Sequence, residues 1–591
     1  MPNEQAYMSH FRVDWYYSEN IMNMPTKKFK ICITMAGAVS AGAYTAGVID
    51  YLLESLQLWE EAKAQNKKLG KEHPQYNHSV PMHDVELEVL SGASAGGITG
   101  TLAVLSLLNN KHQFVNKDNP KGENNIFYQS WVKMADTEAE TSLMKMLHTD
   151  DIKSDTYPES LLNVAPIEAI ADNALKTNHE VAFPNYVSKS LDLVLTTTNL
   201  RGLNFHIDFK DSETVITNHG GFFRYKIAND TYKPGIPEND SSLFYVLDLQ
   251  NETHVNYLKD ATLSTSAFPI GLKSREIKIA HEYVARYPKY LFDRSEGIRV
   301  DLQKEDTYTF NSVDGGLINN EPFGICMKVL IEKNETIRDD DNYAIIMVDP
   351  FPNQDHGADA FDTKRDIISI AKGMFKALRN QVMFNQDGIL EALSLSNRTK
   401  FLVEPKRKQP SGNQWIRSKK DLASAPLSGF GGFLDESFRE HDFHLGRKNC
   451  QSFLRYYFSI ENKNIKKRFG SDVTEEALQR FSFSAKEDES KTPTYFPIIP
   501  DMRALDIINK EFDTKNYGED AYLAYPTYPK FNMESFDKTY KKPIQKRIRT
   551  IVKSLTKSKF YTFAFRLLGQ RKTYRLVRKT IEKSLDENEL L

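Results

Sequence analysis

Residues Val85 to Leu90, VELEVL, read as a strand that passes through Ser91-Gly92-Ala93-Ser94-Ala95-Gly96-Gly97 into an apolar run, Ile98 to Leu108, with helical spacing. A buried strand feeding through a tight turn of small residues straight into a helix commits the chain to an α/β architecture. In such folds the strands run largely parallel and helices cover the sheet on both faces. The order recurs upstream, where the strand Phe29 to Met35 gives way to small residues and then to the helical pattern Val48 to Leu58. Further strands are predicted over Leu191 to Thr198 and Tyr343 to Val348.

A chain of 591 residues exceeds one ordinary core, so more than one region is expected. Residues 28–352 hold the strand–helix alternation. Within them, residues 110–160 are polar and broken by Asn-Pro and Lys-Gly, the composition of a surface insertion or lid. From 353 to 537 the pattern becomes mainly helical. It includes a long helix predicted over Asp366 to Ser396 and a Gly- and Phe-rich stretch, PLSGFGGFLDESFREHDFHLGRKNC. Residues 538–591 form a basic tail, and residues 1–27 an N-terminal extension without the apolar run of a secretory signal. Three separated cysteines, Cys32, Cys326 and Cys450, favour a reducing, cytoplasmic setting over a disulfide framework or a zinc site. A formal net charge of -2 argues against a dedicated nucleic-acid binder.

Gly92-Ala93-Ser94-Ala95-Gly96 has the form G-x-S-x-G and sits between strand and helix, the setting a nucleophile elbow needs. The turn is so sharp that side chains at Gly92 and Gly96 would collide with it, and the helix behind Ser94 favours developing negative charge. A second turn, Ala36-Gly37-Ala38-Val39-Ser40-Ala41-Gly42, exposes main-chain N–H groups able to bind an anion or oxyanion. It lacks the Lys-Ser/Thr of a nucleotide-phosphate loop, and Val39 stands where a dinucleotide fingerprint needs its middle glycine. The third motif, Ser312-Val313-Asp314-Gly315-Gly316, is an Asp-Gly turn that in isolation reads as a plain hairpin.

A Gly-rich turn, a G-x-S-x-G elbow and a downstream Asp-Gly-Gly, in that order, resemble the patatin-like phospholipase family over about residues 28 to 350. The resemblance implies a three-layer α/β/α fold with a largely parallel central sheet, followed by a mainly helical C-terminal region. It also implies a serine–aspartate dyad: Ser94 as nucleophile, Asp314 on its Gly315-Gly316 turn as base, and an oxyanion hole of Gly37, Ala38 and Val39 N–H groups. The implied activity is hydrolysis of lipid carboxylic esters through an acyl-enzyme, with no metal or organic cofactor. Acyl transfer by the same dyad and a catalytically weak binding scaffold are the alternatives. The chain departs from the family pattern in the oxyanion loop, where Ala38 and Val39 replace glycines and Ala41 replaces a basic residue.

Fourteen histidines leave room for a conventional triad through His206, His281, His441 or His444, none with a diagnostic neighbourhood. His73, His78 and His83 recur every five residues beside Pro74 and Pro81, a spacing that suits a polar loop better than a metal site. From Lys538 to Lys583 there are sixteen Lys and Arg and one acidic residue, Glu582, interleaved with apolar positions such as Ile548, Ile551, Leu555, Phe560, Tyr561 and Phe563. This reads either as a basic amphipathic helix pair for an anionic membrane surface or as a solvated face packed on the body.

Overall fold

The computed structural model describes residues 28–153, 156–176, 182–237, 243–288, 298–300, 307–334, 342–352, 399–411, 414–484, 494–503, 523–556 and 565–591, with a few isolated positions between them. The N-terminal extension, most of the helix expected over Asp366 to Ser396, and Phe560, Tyr561 and Phe563 lie outside the described residues.

Strand β1 (Phe29–Met35) lies between β2 (Val85–Gly92) and β9 (Tyr343–Val348), parallel to both. β3 (Val187–Phe209) continues past β2, and β10 (Lys400–Val403) past β9, again in parallel, so five neighbouring strands run the same way. Every residue of β1 except Lys30 is buried, the continuous apolar run that a strand covered on both faces requires. Beyond β3 the ten-stranded sheet turns antiparallel through β4 (Ser212–Ile227), β7 (Ile298–Val300) and β8 (Thr307–Asp314), with β5 (Tyr245–Leu247) beside β4 and β6 (Arg275–Ala280) beside β8. The fold is therefore a mixed, mostly parallel sheet flanked by helices, as expected. The strand read at Leu191 to Thr198 is the inner part of β3. Its outer part alternates polar and apolar residues and leaves the sheet body as a ribbon with β4.

Register explains how distant residues meet. Met35 pairs with Gly92, Gly92 with Leu195, and Asp314 with Thr197, two residues further along β3. The turns that follow β1 and β2 and the end of β8 thus converge at one edge, the carboxyl end of the parallel strands, where open α/β sheets bind ligands.

Helix α1 (Gly42–Leu69) follows β1 and α2 (Ala95–Leu107) follows β2. Further along are α3 (Ala165–Leu175), α4 (Glu252–Thr265) and α5 (Phe323–Lys333). The expected surface insertion at 110–160 is built into the body at its middle. Phe127, Tyr128, Trp131, Val132 and Met146 are buried, because the short apolar run Ile126-Phe127-Tyr128 and its successors pack against α1 and α2. In the sequence, polar flanks hide that run.

The C-terminal region contributes to the same core. α6 (Glu436–Tyr456) lies on α1 so closely that a Cβ on Gly47 would fall 1.9 Å from the Phe443 carbonyl oxygen, and one on Gly446 2.1 Å from that of Tyr44. Contact at this range needs glycine on both helices. Arg447 of α6 is buried between Asp50 and Glu54 of α1, donating to Glu54 at 2.6 Å. Its charge offsets part of the cost of burying Asp50, whose carboxyl burial still lifts to about 6. The tail folds as α7 (Met533–Thr556) and α8 (Gln570–Glu587), tied together by Arg578 Nε donating to Asp537 Oδ2 at 2.7 Å. Arg547 of α7 is buried and donates to the Leu161 carbonyl and to Asp151, each at 2.8 Å. α7 is thereby seated on Asp151 and Leu161.

Because backbone, not a flexible side chain, opposes position 47, Gly47→Ala is expected to destabilise the protein by about 1–3 kcal/mol, the range for overpacking. Urea denaturation measures this; an unchanged midpoint would mean that α6 does not rest on α1 as described.

Candidate active site

Ser94 caps α2 with φ 52° and ψ -123°, a left-handed backbone that a non-glycine residue holds only when its surroundings impose it. Three contacts impose it here. The Ser94 N–H donates to Thr265 Oγ1 at 3.0 Å, the Ala93 N–H donates to the Met35 carbonyl at 3.2 Å, and Gly96 lies against that carbonyl so tightly that an added Cβ would come within 2.2 Å. Gly92 packs on Gly96 in the same way, at 2.4 Å for an added Cβ. Both flanking glycines are steric requirements of the turn.

Ser94 Oγ donates to Asp314 Oδ2 at 2.6 Å, and both residues are buried. Asp314 is fixed in turn: Oδ1 accepts the Gly316 N–H at 2.7 Å, its carbonyl accepts from Thr198 Oγ1 at 2.9 Å, and its N–H donates to the Ala267 carbonyl at 3.0 Å. A Cβ on Gly315 would stand 2.4 Å from the Thr196 carbonyl oxygen, so the Asp-Gly-Gly turn is a close backbone approach rather than a free hairpin.

The three residues expected to form an oxyanion hole behave differently. Gly37 is pressed against Ser94, where an added Cβ would stand 2.9 Å from Ser94 Cβ, but its N–H donates to the Asn320 carbonyl at 3.3 Å. The N–H groups of Ala38 and Val39 meet no protein acceptor among the described residues. Val39 has φ 51° and lines, with Ser94, a cavity of about 90 Å³, several times the 10–15 Å³ that one water needs. Ile98, Leu102, Leu105, Ile170 and Leu175 make its walls apolar, the lining that suits a hydrocarbon chain.

None of the four candidate triad histidines is bonded to Ser94. His206 pairs with Glu213 at 2.6 Å on the β3–β4 ribbon, and His441 with Asp442 at 2.8 Å inside α6, while burial lowers the pKa of His444 to about 4. His281 starts a short helix after the strand Arg275–Ala280. His83 stacks on Phe469 at 4.0 Å and bonds the Ile498 carbonyl at 2.9 Å, a packing role, while His73 and His78 are exposed.

Thr265, Thr198 and Asn320 are not singled out by sequence reasoning. Asn320 offers a signal in lying four residues past the Asp-Gly-Gly turn; the threonines sit in LVLTTTNLRGLNF and DATLSTSAFPIGLKS, segments that belong to the family resemblance but carry no catalytic motif. The Gly429–Phe433 stretch likewise gives no sign in the sequence that it touches the loop at residues 37–41.

A strained serine on a strand–helix turn faces a carboxylate at the edge of a mostly parallel sheet, in a molecule of the α/β class. The sequence profile of the patatin-like phospholipase family matches residues 33–327. The "Uncharacterized protein y4iI" of Sinorhizobium fredii is 31% identical over 509 residues, covering 80% of this chain and 70% of that protein. The chain belongs to the patatin-like phospholipase family, a family of lipid acyl hydrolases. The crystal structure of VipD from Legionella pneumophila aligns over 95% of this chain and 88% of its own at 11% identity, with a TM-score of 0.17, too low to carry any inference.

Asp349, just past β9, is buried with Glu321 and Glu404 near it, and burial pushes its carboxyl up to about 7. Between about pH 4 and pH 7 the folded protein keeps a proton here that the unfolded chain has released, so stability falls as pH rises through this window. Asp349→Asn keeps an acceptor for the Phe351 N–H, bonded at 2.8 Å, and is expected to raise the melting temperature at pH 8 but not at pH 4. Equal shifts at both pH values would contradict this.

Proposed function

We propose that the protein hydrolyses carboxylic esters of lipids with Ser94 as nucleophile and Asp314 as its general base. The 2.6 Å hydrogen bond from Ser94 Oγ to Asp314 Oδ2 is the observation that carries this reading. As Ser94 Oγ bonds to the ester carbonyl carbon, its proton passes to Asp314. The tetrahedral oxyanion is held by the Ala38 and Val39 N–H groups, the free donors of the loop, with Gly37 supplying room rather than its N–H. When the C–O bond to the alcohol breaks, Asp314 returns the proton to the leaving oxygen. Water then attacks the acyl-Ser94 ester, with Asp314 again taking the proton, and the fatty acid is released. The apolar cavity receives the acyl chain of the ester.

The same reading extends to where the enzyme works. No helix among the described residues is long and apolar enough to cross a membrane. α7 and α8 nonetheless expose Lys541, Lys542, Lys546, Lys553, Arg575 and Lys579. Beside α7 the surface carries Tyr157, Leu161 and Ile270, the last 76% exposed, linked by the Leu161 N–H donating to the Ile270 carbonyl at 2.8 Å. Phe268, two residues away, lines the cavity. Cations beside an apolar rim next to the substrate cavity match an anionic lipid surface, each contributing about 1 kcal/mol near the headgroups.

Ser94→Ala and Asp314→Asn are both expected to lower kcat on a soluble nitrophenyl ester by about 10³-fold or more, with the fold retained. Activity surviving Asp314→Asn would remove the dyad. Replacing Lys541, Lys542, Lys546 and Lys553 together by Gln should weaken co-sedimentation with phosphatidylglycerol-containing vesicles at least tenfold and leave soluble-ester hydrolysis unchanged. Undiminished vesicle binding would discard the membrane surface.

A further inference from the structure

The loop from Gly37 to Ala41 presents the two free N–H groups, yet its own sequence does little to hold them in place. Val39 is a β-branched residue at φ 51°, a conformation that side chains of its kind resist. Ala38 and Ala41 offer no side chain that could anchor the turn. Within the loop the Ala41 N–H donates to the Ala38 carbonyl at 3.0 Å, one bond against a strained backbone.

Besides the bond from the Gly37 N–H to the Asn320 carbonyl, the anchors of the loop come from residues nearly four hundred positions away. The Ser40 N–H donates to the Gly429 carbonyl at 3.0 Å, the Ser40 hydroxyl donates to that same oxygen, and the Gly432 N–H donates to Ser40 Oγ at 2.9 Å. Ser40 therefore bridges Gly429 and Gly432 within the strap Leu427–Phe433, using its main chain and both roles of its hydroxyl. The fit is steric as well as polar. A Cβ on Gly429 would stand 3.0 Å from the Ala38 carbonyl oxygen, and one on Gly432 2.7 Å from Ser40 Oγ.

The strap is itself forced into shape. Leu427, Ser428 and Gly429 are consecutively left-handed, at φ 58°, 58° and 92°, a conformation that persists only when the surroundings over-determine it. Those surroundings belong to the C-terminal region. Buried Asp442 of α6 accepts the Ala423 and Ser424 N–H groups at 2.8 and 2.9 Å, buried Arg439 donates to the Gly432 carbonyl at 2.6 Å, and Ser584 of α8 accepts the Leu427 N–H at 2.8 Å. On the other side of the strap, Phe433 lines the substrate cavity and Phe430 packs edge-on against Phe268, another of its lining residues, with ring centroids 5.3 Å apart.

We propose that the strap Leu427–Phe433 holds the oxyanion loop in its working conformation through Ser40, which makes Ser40 a positioning residue for ester hydrolysis. The proposal rests on the reading of Ser94 and Asp314 given above. Ser40 touches no reacting atom; it acts by fixing where the Ala38 and Val39 N–H groups point. An oxyanion exists only once the carbonyl has been attacked, so misdirected donors reduce kcat and leave ground-state binding alone.

The test compares wild type, Ser40→Ala and Gly429→Ala on a soluble nitrophenyl ester and on a fluorophosphonate, whose phosphoryl oxygen occupies the oxyanion position. Rates are normalised to the folded fraction measured by circular dichroism. The expected result is a 10- to 100-fold fall in kcat with KM within twofold, matched by a similar fall in the rate of Ser94 phosphonylation. A lowered melting temperature with kcat per folded molecule unchanged would overturn the proposal, since Ser40 would then be a packing residue alone; unchanged kcat and melting temperature would overturn it too. Wild-type protein that neither hydrolyses the ester nor reacts at Ser94 would defeat the underlying dyad reading, and this proposal with it.

Discussion

The left-handed backbone of Ser94 is the constraint on which the rest of the site depends. It cannot be maintained by the elbow alone: the Met35 carbonyl at the end of β1, the Thr265 hydroxyl at the end of α4 and the close fit of Gly92 on Gly96 all bear on it. Asp314 reaches the same point because β8 runs antiparallel to β3 and stops at Thr197, two residues beyond the level of Gly92. A hydroxyl and a carboxylate 220 positions apart thus meet at 2.6 Å through sheet register and need no mobile loop to bring them together.

The C-terminal region completes the body instead of standing beside it. Glycines on α1 and α6 let the two backbones touch, and the buried Arg447 ties them with its charge. The same α6 supplies Arg439 to the strap over the loop at residues 37–41 and Asp442 to Ala423 and Ser424 just before it. α7 and α8 follow with an apolar face buried on Leu143, Leu147, Leu434 and Phe438, while their lysines remain outside and Arg547 is buried. Of the two sequence readings of the tail, the packed helical face is present in the structure, and the lipid-facing basic surface is the proposal made above for the exposed lysines.

The parts of the fold legible in the sequence are those where local pattern and tertiary role coincide. The buried run Phe29–Met35 and the elbow at Gly92–Gly96 announce themselves because a covered strand and a sharp turn leave few residue choices. Asp314 is recognisable only through the order of three motifs, since an Asp-Gly turn by itself is ordinary. Thr265 and Asn320 escape because a hydrogen-bonding Thr or Asn leaves no periodic trace. The Ile126–Val132 segment reads wrongly as surface because its polar neighbours dominate the local composition. Gly37 looks like an oxyanion donor from its place in the loop, and nothing in the sequence reveals that its N–H is spent on Asn320. The strap is invisible for a related reason: its partner, Ser40, lies in a distant part of the chain.

The central claim, that the hydroxyl of Ser94 is the group that takes up the acyl chain, is tested most directly by trapping. Rapid acid quenching of the enzyme during turnover of a slow long-chain ester, followed by peptide mass spectrometry, should find the acyl group on the peptide containing Ser94 in the wild type and no acylated peptide in Ser94→Ala. Acyl label on any other residue, or none on Ser94 while product is released, would contradict the account.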